Sequence, residues 1–198
     1  MEQSGLYYGD YLQLDKITGA QMPESFKPGN IPAHDEMLFI VIHQAYELWF
    51  RQIIHELKSV QKIFSEQQIN DNSPDMQIAV HRLKRVATIL QVLVHQIDVL
   101  ETMTPLDFLD FRNLLNPASG FQSFQFKIIE AMMGLKFEQR HELHYYTSAL
   151  KPEDLKTVKD VEKEKSLLEM VNSWLERMPF FENRFWKNDS AETKKNFW

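Results

Sequence analysis

The chain has 198 residues, enough for one domain with a sizeable core, and 43% of them are hydrophobic with only 6 glycines and 8 prolines, which excludes a disordered or collagen-like polymer. Twenty-eight acidic residues against 22 basic ones give a net charge of −6, and no basic run interleaved with aromatics could neutralise a phosphate backbone, so nucleic acid is not expected as a partner. The absence of cysteine excludes a disulfide framework, a thiolate metal site and a cysteine nucleophile, and fits a reducing cytoplasm.

The opening string MEQSGLYYGDYLQLD has neither a charged start nor an apolar core, and the dense apolar run from Met37 to Ile42 is far shorter than the ~20 residues a membrane span needs, so neither secretion nor insertion is expected. Gly9, Gly19, Pro23, Pro28 and Gly29 make residues 1–30 an irregular arm, with one short helix at Tyr8 to Leu14. A helical pattern then runs from Pro32 to about Phe64, ~45 Å at ~1.5 Å per residue, with Asp35 and Glu36 as first-turn acids that suit the dipole. The polar segment SEQQINDNSPD, 65–75, is a loop ending on Ser73 as N-cap, with Pro74 at the first helical position. In the next helix Val80, Leu83, Ala87, Leu90, Val94, Ile97 and Leu100 recur at steps of three and four and form the expected buried face, with Arg82, Lys84 and Arg85 largely off it.

Thr104, Pro105, Leu106 and Asp107 spell a capping box, so the chain breaks near Met103 and restarts as a short helix through Leu115 that aims Arg112. In NPASGFQS, Ser119 can cap the following helix with Gln122 as its reciprocal partner, a loop expected to gather free backbone N–H groups at a helix start. That helix runs from Phe121 to about Met133 and stops at Gly134. Residues 138–150 read as a short helix or turn. Pro152, Glu153 and Asp154 open one last long helix, with Leu155, Val158, Val161, Leu168, Val171, Trp174 and Leu175 as its apolar positions, before an aromatic tail. No strand pairs, repeats or second domain are evident. The expected fold is all-α, a bundle of long antiparallel helices in a single domain over 1–198, with the arm at 1–30 and a helical extension over 135–198.

Few side chains point to chemistry. His141 and His144 are an i,i+3 pair and Glu138 with His141 makes one ExxH, but a di-iron bundle needs two such motifs and two further glutamates, so a solvated short helix is expected. His81 and His95 read as surface or packing residues, and there is no Gly-rich phosphate loop, GxSxG elbow or HExxH. The most informative stretch is HDEMLFIVIHQAYELWFRQ, 34–52. Within it His43 follows Phe39 by one helical turn, so both project from one face, and Tyr46 and Phe50 continue the stripe. A ring so placed usually bonds a nearby carbonyl; the alternative is a ligand-facing role, and spacing leaves both open.

Three strings, YYGDYL at 7–12, FIVIHQAYELWF at 39–50 and ETMTPLDFLDFRNLLNPASGFQSFQF at 101–126, together resemble the N-terminal and central part of the tryptophan 2,3-dioxygenases, and the likeness covers most of the chain up to about Gly134. The resemblance implies a mostly helical haem-dioxygenase fold assembled as a homotetramer, with a b-type haem whose iron binds dioxygen. Both oxygen atoms would be added across the indole C2–C3 bond of L-tryptophan to give N-formyl-L-kynurenine, the first step of tryptophan catabolism by the kynurenine route. Residues 31–134 would then supply the substrate and distal haem-pocket helices.

By the same resemblance His43 matches the distal histidine that faces the indole N–H, and Phe39 the aromatic packed on the indole, with Ile40, Val41 and Ile42 the segment between them. Arg112 matches the arginine that grips the substrate carboxylate, a role that suits a guanidinium because it can make two parallel hydrogen bonds. Phe108 stands where some members carry a tyrosine hydroxyl for that carboxylate. Ser119 and Gly120 match the loop beside the haem edge, and Tyr8 and Tyr11 the arm that reaches into a neighbouring subunit's pocket. Nothing after His144 matches the late region that supplies the family's proximal histidine and a threonine for the substrate's amino acid group. The chain is therefore expected to correspond to an N-terminal portion, with the metal ligand unknown, haem b held only together with that region, and the 198 residues alone inactive. The other function classes kept open are a non-catalytic helical fragment or interaction protein with this fold, and a related haem enzyme acting on another aromatic amino acid.

Overall fold

The computed structural model describes residues 5–66, 72–135 and 149–177. Among these residues the fold is all-α, with no strand, as expected. The stretch 136–148, with Glu138, His141 and His144, and the aromatic tail from 178 lie outside the described residues. In chain order the helices are α1 (Tyr8–Leu12), α2 (Leu14–Thr18), α3 (Glu36–Ser65), α4 (Pro74–Leu100), α5 (Pro105–Arg112), α6 (Phe124–Met133), α7 (Pro152–Lys163) and α8 (Leu167–Arg177). Contacts group them into two compact units: Met1–Arg51 with Thr88–Ser123, and Gln52–Ala87 with Phe124–Trp198. Residues 36–51 of α3 and 88–100 of α4 thus belong to the first unit, and 52–65 of α3 and 74–87 of α4 to the second.

In the first unit the arm holds two short helices, not one. Gln13 takes left-handed angles, φ 56° and ψ 42°, and both its backbone and side-chain N–H groups donate to the Asp10 carbonyl, which ends α1. The arm is fastened at two places. Gln21 donates to Gln44 and Gln44 to the Ala20 carbonyl. Further on, the fully buried Glu36 carboxylate accepts from the backbone N–H groups of Glu24 and Ser25 at 2.7 and 2.8 Å, while the Ser25 hydroxyl accepts from Ala33. α3 starts at Glu36 and not at Pro32, and the residues just before it are held to the arm through the Ala33 N–H. Glu36 therefore does more than complement a dipole; it satisfies two N–H groups opening the 3-10 turn Glu24–Phe26.

The buried face of α4 differs from the expected one. Ala79, Val86, Ile89 and Leu93 are buried, whereas Val80, Leu90, Val94 and Ile97 are 40–63% exposed. Both stripes repeat at steps of three and four, because α4 is apolar around much of its circumference, and periodicity alone picks either. Polar contacts select the first. The Tyr46 hydroxyl donates to the Leu93 carbonyl at 2.5 Å, and in the second unit Arg85 and Arg82, expected to lie off the packed face, reach Glu56 on α3.

Burial pushes the Glu56 carboxyl up, but the hydrogen bond and charge of Arg85, helped by Gln52, outweigh it and hold the group below the usual carboxylate range. A carboxyl whose folded-state value is depressed stabilises the fold fully above its unfolded value and loses that contribution as pH falls through the folded one. Denaturant titrations should therefore show a loss of stability on acidification below roughly pH 4–5 that is shallower in Glu56→Gln. A slope identical to the parent's would remove Glu56 from the acid response.

The core of the second unit is a stripe of Ile53, Leu57, Val60 and Phe64 on α3, with Ile128, Ile129 and Met132 of α6, Val158 of α7 and Leu167 of α8 also buried. The expected last long helix is in fact α7 and α8, separated at Ser166, whose hydroxyl accepts from the Glu169 N–H while its own N–H donates to the Glu169 carboxylate. Gly134 ends α6 as expected: at φ 120° it lets Leu135 donate back to Glu130, and a Cβ there would meet Leu168 Cβ at 3.0 Å.

Candidate functional site

The residues that carry the site lie in the first unit. Thr104 caps α5 as expected: Asp107 N–H donates to the Thr104 hydroxyl, and Thr104 returns bonds of 2.9 and 2.6 Å from its N–H and hydroxyl to the Asp107 carboxylate, which hold that carboxyl below its usual range. The break before α5 turns the chain by 90°, so Phe108, Phe111 and Arg112 leave the line of α4.

Three rings then meet Phe39. Its centroid is 4.1 Å from that of His43, and 5.6 Å from each of Phe108 and Phe111, which are themselves 5.5 Å apart edge-on. The Arg112 guanidinium carbon sits 5.9 Å over the Phe108 ring, within range of a cation–π contact. Among the described residues no carboxylate comes within ion-pair distance of Arg112. One aromatic wall thus joins an imidazole to a guanidinium that has no acid partner among the described residues.

His43 makes the ordinary bond of a helical histidine, and that bond has a chemical consequence. Nδ1 lies 2.7 Å from the Phe39 carbonyl oxygen, which can only accept, so Nδ1 carries the proton and donates. Nε2 of the neutral ring is then left with a lone pair, able to accept from an N–H donor.

The other candidates are placed differently. Ile42 is buried and Ile40 half-buried, while Val41 is 45% exposed and lines a separate groove of about 500 Å³ with Phe26, His34, Met37 and Leu38. Successive helical residues step by ~100°, so these three cannot all share the face of Phe39 and His43. Tyr8 and Tyr11 are 70% and 68% exposed, with no ring contact to the cluster in this chain. Phe111, fully buried, was not among the sequence candidates; its i,i+3 spacing from Phe108 was the available signal.

The Ser119–Gly120 turn has the reciprocal capping bonds with Gln122, but they close a 3-10 turn, Gly120–Gln122, and α6 starts only at Phe124. The N–H groups of Ser119, Phe121 and Gln122 are used inside that turn, so it is less rich in free donors than the sequence suggested. A haem would be met here by the exposed Phe121 ring and by Gly120, around which a Cβ would find open space. These features suit the edge of a macrocycle. The turn itself offers no imidazole or thiolate that could bind the iron.

Comparison with known proteins brings in the rest of the sequence. The chain is 49% identical over 180 residues to a tryptophan 2,3-dioxygenase of Dictyostelium discoideum, covering 90% of this chain and 44% of that protein. It is 48% identical over 190 residues to one of Anopheles gambiae (93% and 48%) and 46% identical over 193 to one of Alteromonas mediterranea (94% and 52%). The chain spans about half the length of the curated relatives it matches. The family model described as tryptophan 2,3-dioxygenase matches residues 1–196, so the likeness extends well beyond the strings that carry the aromatic cluster, and the chain belongs to the tryptophan 2,3-dioxygenase family.

Proposed function

We propose that this chain forms the substrate side of a haem-dependent dioxygenase that opens the indole ring of L-tryptophan to N-formyl-L-kynurenine. The observation that carries the reading is the wall of Phe39, Phe108 and Phe111 with the His43 imidazole at one place on it and, at another, the Arg112 guanidinium, which no described carboxylate pairs with. Phe39 packs on the indole. Nε2 of His43 accepts from the ring N–H, in the tautomer that the Phe39 carbonyl selects. Arg112 takes the carboxylate in two parallel hydrogen bonds, and the surrounding rings exclude water so that both contacts act at low dielectric. Haem, expected only together with the late region that this chain does not match, would have Ser119 and Gly120 at its edge and would supply the activation of dioxygen when bound. The assembly is a homotetramer in which Tyr8 and Tyr11 of one arm serve a neighbour's pocket.

The full-length protein supplied with haem, L-tryptophan and isotopically labelled dioxygen is expected to place both labelled oxygen atoms in the product. No tryptophan-dependent uptake of dioxygen would overturn the reading. In the same assay His43→Ala should lower turnover by roughly tenfold or more, as the hydrogen bond to the ring N–H is lost.

A further inference from the structure

Arg112 closes α5 and at the same time opens the 3-10 turn Asn113–Leu115, so the place of that turn sets where the guanidinium stands. The side chain has little of its own to hold it: the Phe108 ring lies beneath, and among the described residues no carboxylate is within ion-pair distance. Packing on the turn then matters. Apart from α5, the element that packs most extensively on Asn113–Leu115 is the arm's own 3-10 turn, Glu24–Phe26. Lys27 and Asn30 bond that turn from within the arm, but its tie to α3 is the carboxylate of Glu36.

The chemistry of that tie is specific. Glu36 is fully buried, and each of its two oxygens accepts one backbone N–H, that of Glu24 at 2.7 Å and that of Ser25 at 2.8 Å. A carboxylate taken out of water is costly unless its acceptor capacity is used, and here both oxygens are used on one turn. A carboxamide would offer one acceptor where two are needed. Phe39 and His43 follow Glu36 by three and seven residues on α3, so all three fall on one helical stripe. The stripe that carries the ring and the imidazole is thereby joined, through Glu36 and the arm's turn, to the segment that carries Arg112. On the reading given above, on which this step rests, the substrate spans that same interval. We propose that Glu36 is a positioning residue for substrate binding: by fixing Glu24–Phe26 against Asn113–Leu115 it holds Arg112 at the separation from Phe39 and His43 that an aromatic amino acid requires.

The test compares L-tryptophan with tryptamine, which lacks the carboxylate, by equilibrium binding to the full-length, haem-loaded protein. Glu36→Gln should weaken L-tryptophan about fivefold, a part of what Arg112→Ala removes, and leave tryptamine unchanged. A merely structural role would lower the melting temperature without moving the ratio of the two ligands. Ser25→Ala, which frees the same turn from the Ala33 N–H, should shift that ratio in the same direction and decides the matter if Glu36→Gln does not fold. In an Arg112→Ala background Glu36→Gln should cause no further loss of tryptophan affinity. An unchanged ratio in either single variant, or a further loss in the double variant, would overturn the assignment. Failure of the site as a whole looks different: Arg112→Ala alone would then bind L-tryptophan as tightly as the parent, and both readings would fall.

Discussion

Phe111→Ala is expected to lower the unfolding free energy by about 3–5 kcal/mol, the range for deleting a fully buried aromatic ring. Phe111 is completely buried and touches both Phe39 and Phe108, so its removal leaves a cavity at the point where α5 meets α3. The loss should appear as a lower denaturation midpoint at unchanged m-value. Phe108→Ala, at a half-buried ring, should be milder for stability while removing the surface under Arg112. If the two substitutions were equally harmless to the fold, Phe111 would not be the anchor of α5.

Arg112→Ala is expected to weaken L-tryptophan by roughly 10- to 150-fold, corresponding to a charge-assisted pair worth ~1.5–3 kcal/mol. Tryptamine, with the ring and amine but no carboxylate, should bind the variant and the parent alike. Arg112→Lys should recover only part of the loss, because an ammonium cannot present the planar fork that a carboxylate accepts in two bonds. Titrations of the full-length protein with both ligands decide it, and unchanged tryptophan affinity would remove Arg112 from the carboxylate site.

Local chemistry was the most legible part of the sequence. The Thr104–Asp107 box, the Ser119–Gln122 pair, the Ser73 cap and the Gly134 stop depend on residues a few positions apart, and each is found where its motif stands. The two seams of α4 were not separable, since both satisfy the same period and only Glu56 and the Leu93 carbonyl choose between them. The break at Ser166 was hidden for a related reason: Val161 and Leu168 are seven residues apart, two full turns, so the apolar rhythm stays in phase across it. The S-x-x-E signature at Ser166 to Glu169 was there to be read. At the site, the turn between Phe39 and His43 followed from helical spacing, whereas the meeting of Phe39 with Phe108 and Phe111 depends on the angle between α4 and α5, which no short-range pattern encodes.

The two fastenings of the arm set a geometric bound on assembly. With Ala20 held by Gln44, and Glu24 and Ser25 held by Glu36, the chain before Gly19 works as a tether on a fixed post. Twelve residues separate Tyr8 from Ala20, so even a fully stretched tether reaches no farther than ~40 Å. Any neighbouring molecule whose pocket Tyr8 or Tyr11 enters must bring that pocket inside this radius, and lengthening the tether by inserted glycines would relax the spacing between copies without touching either post.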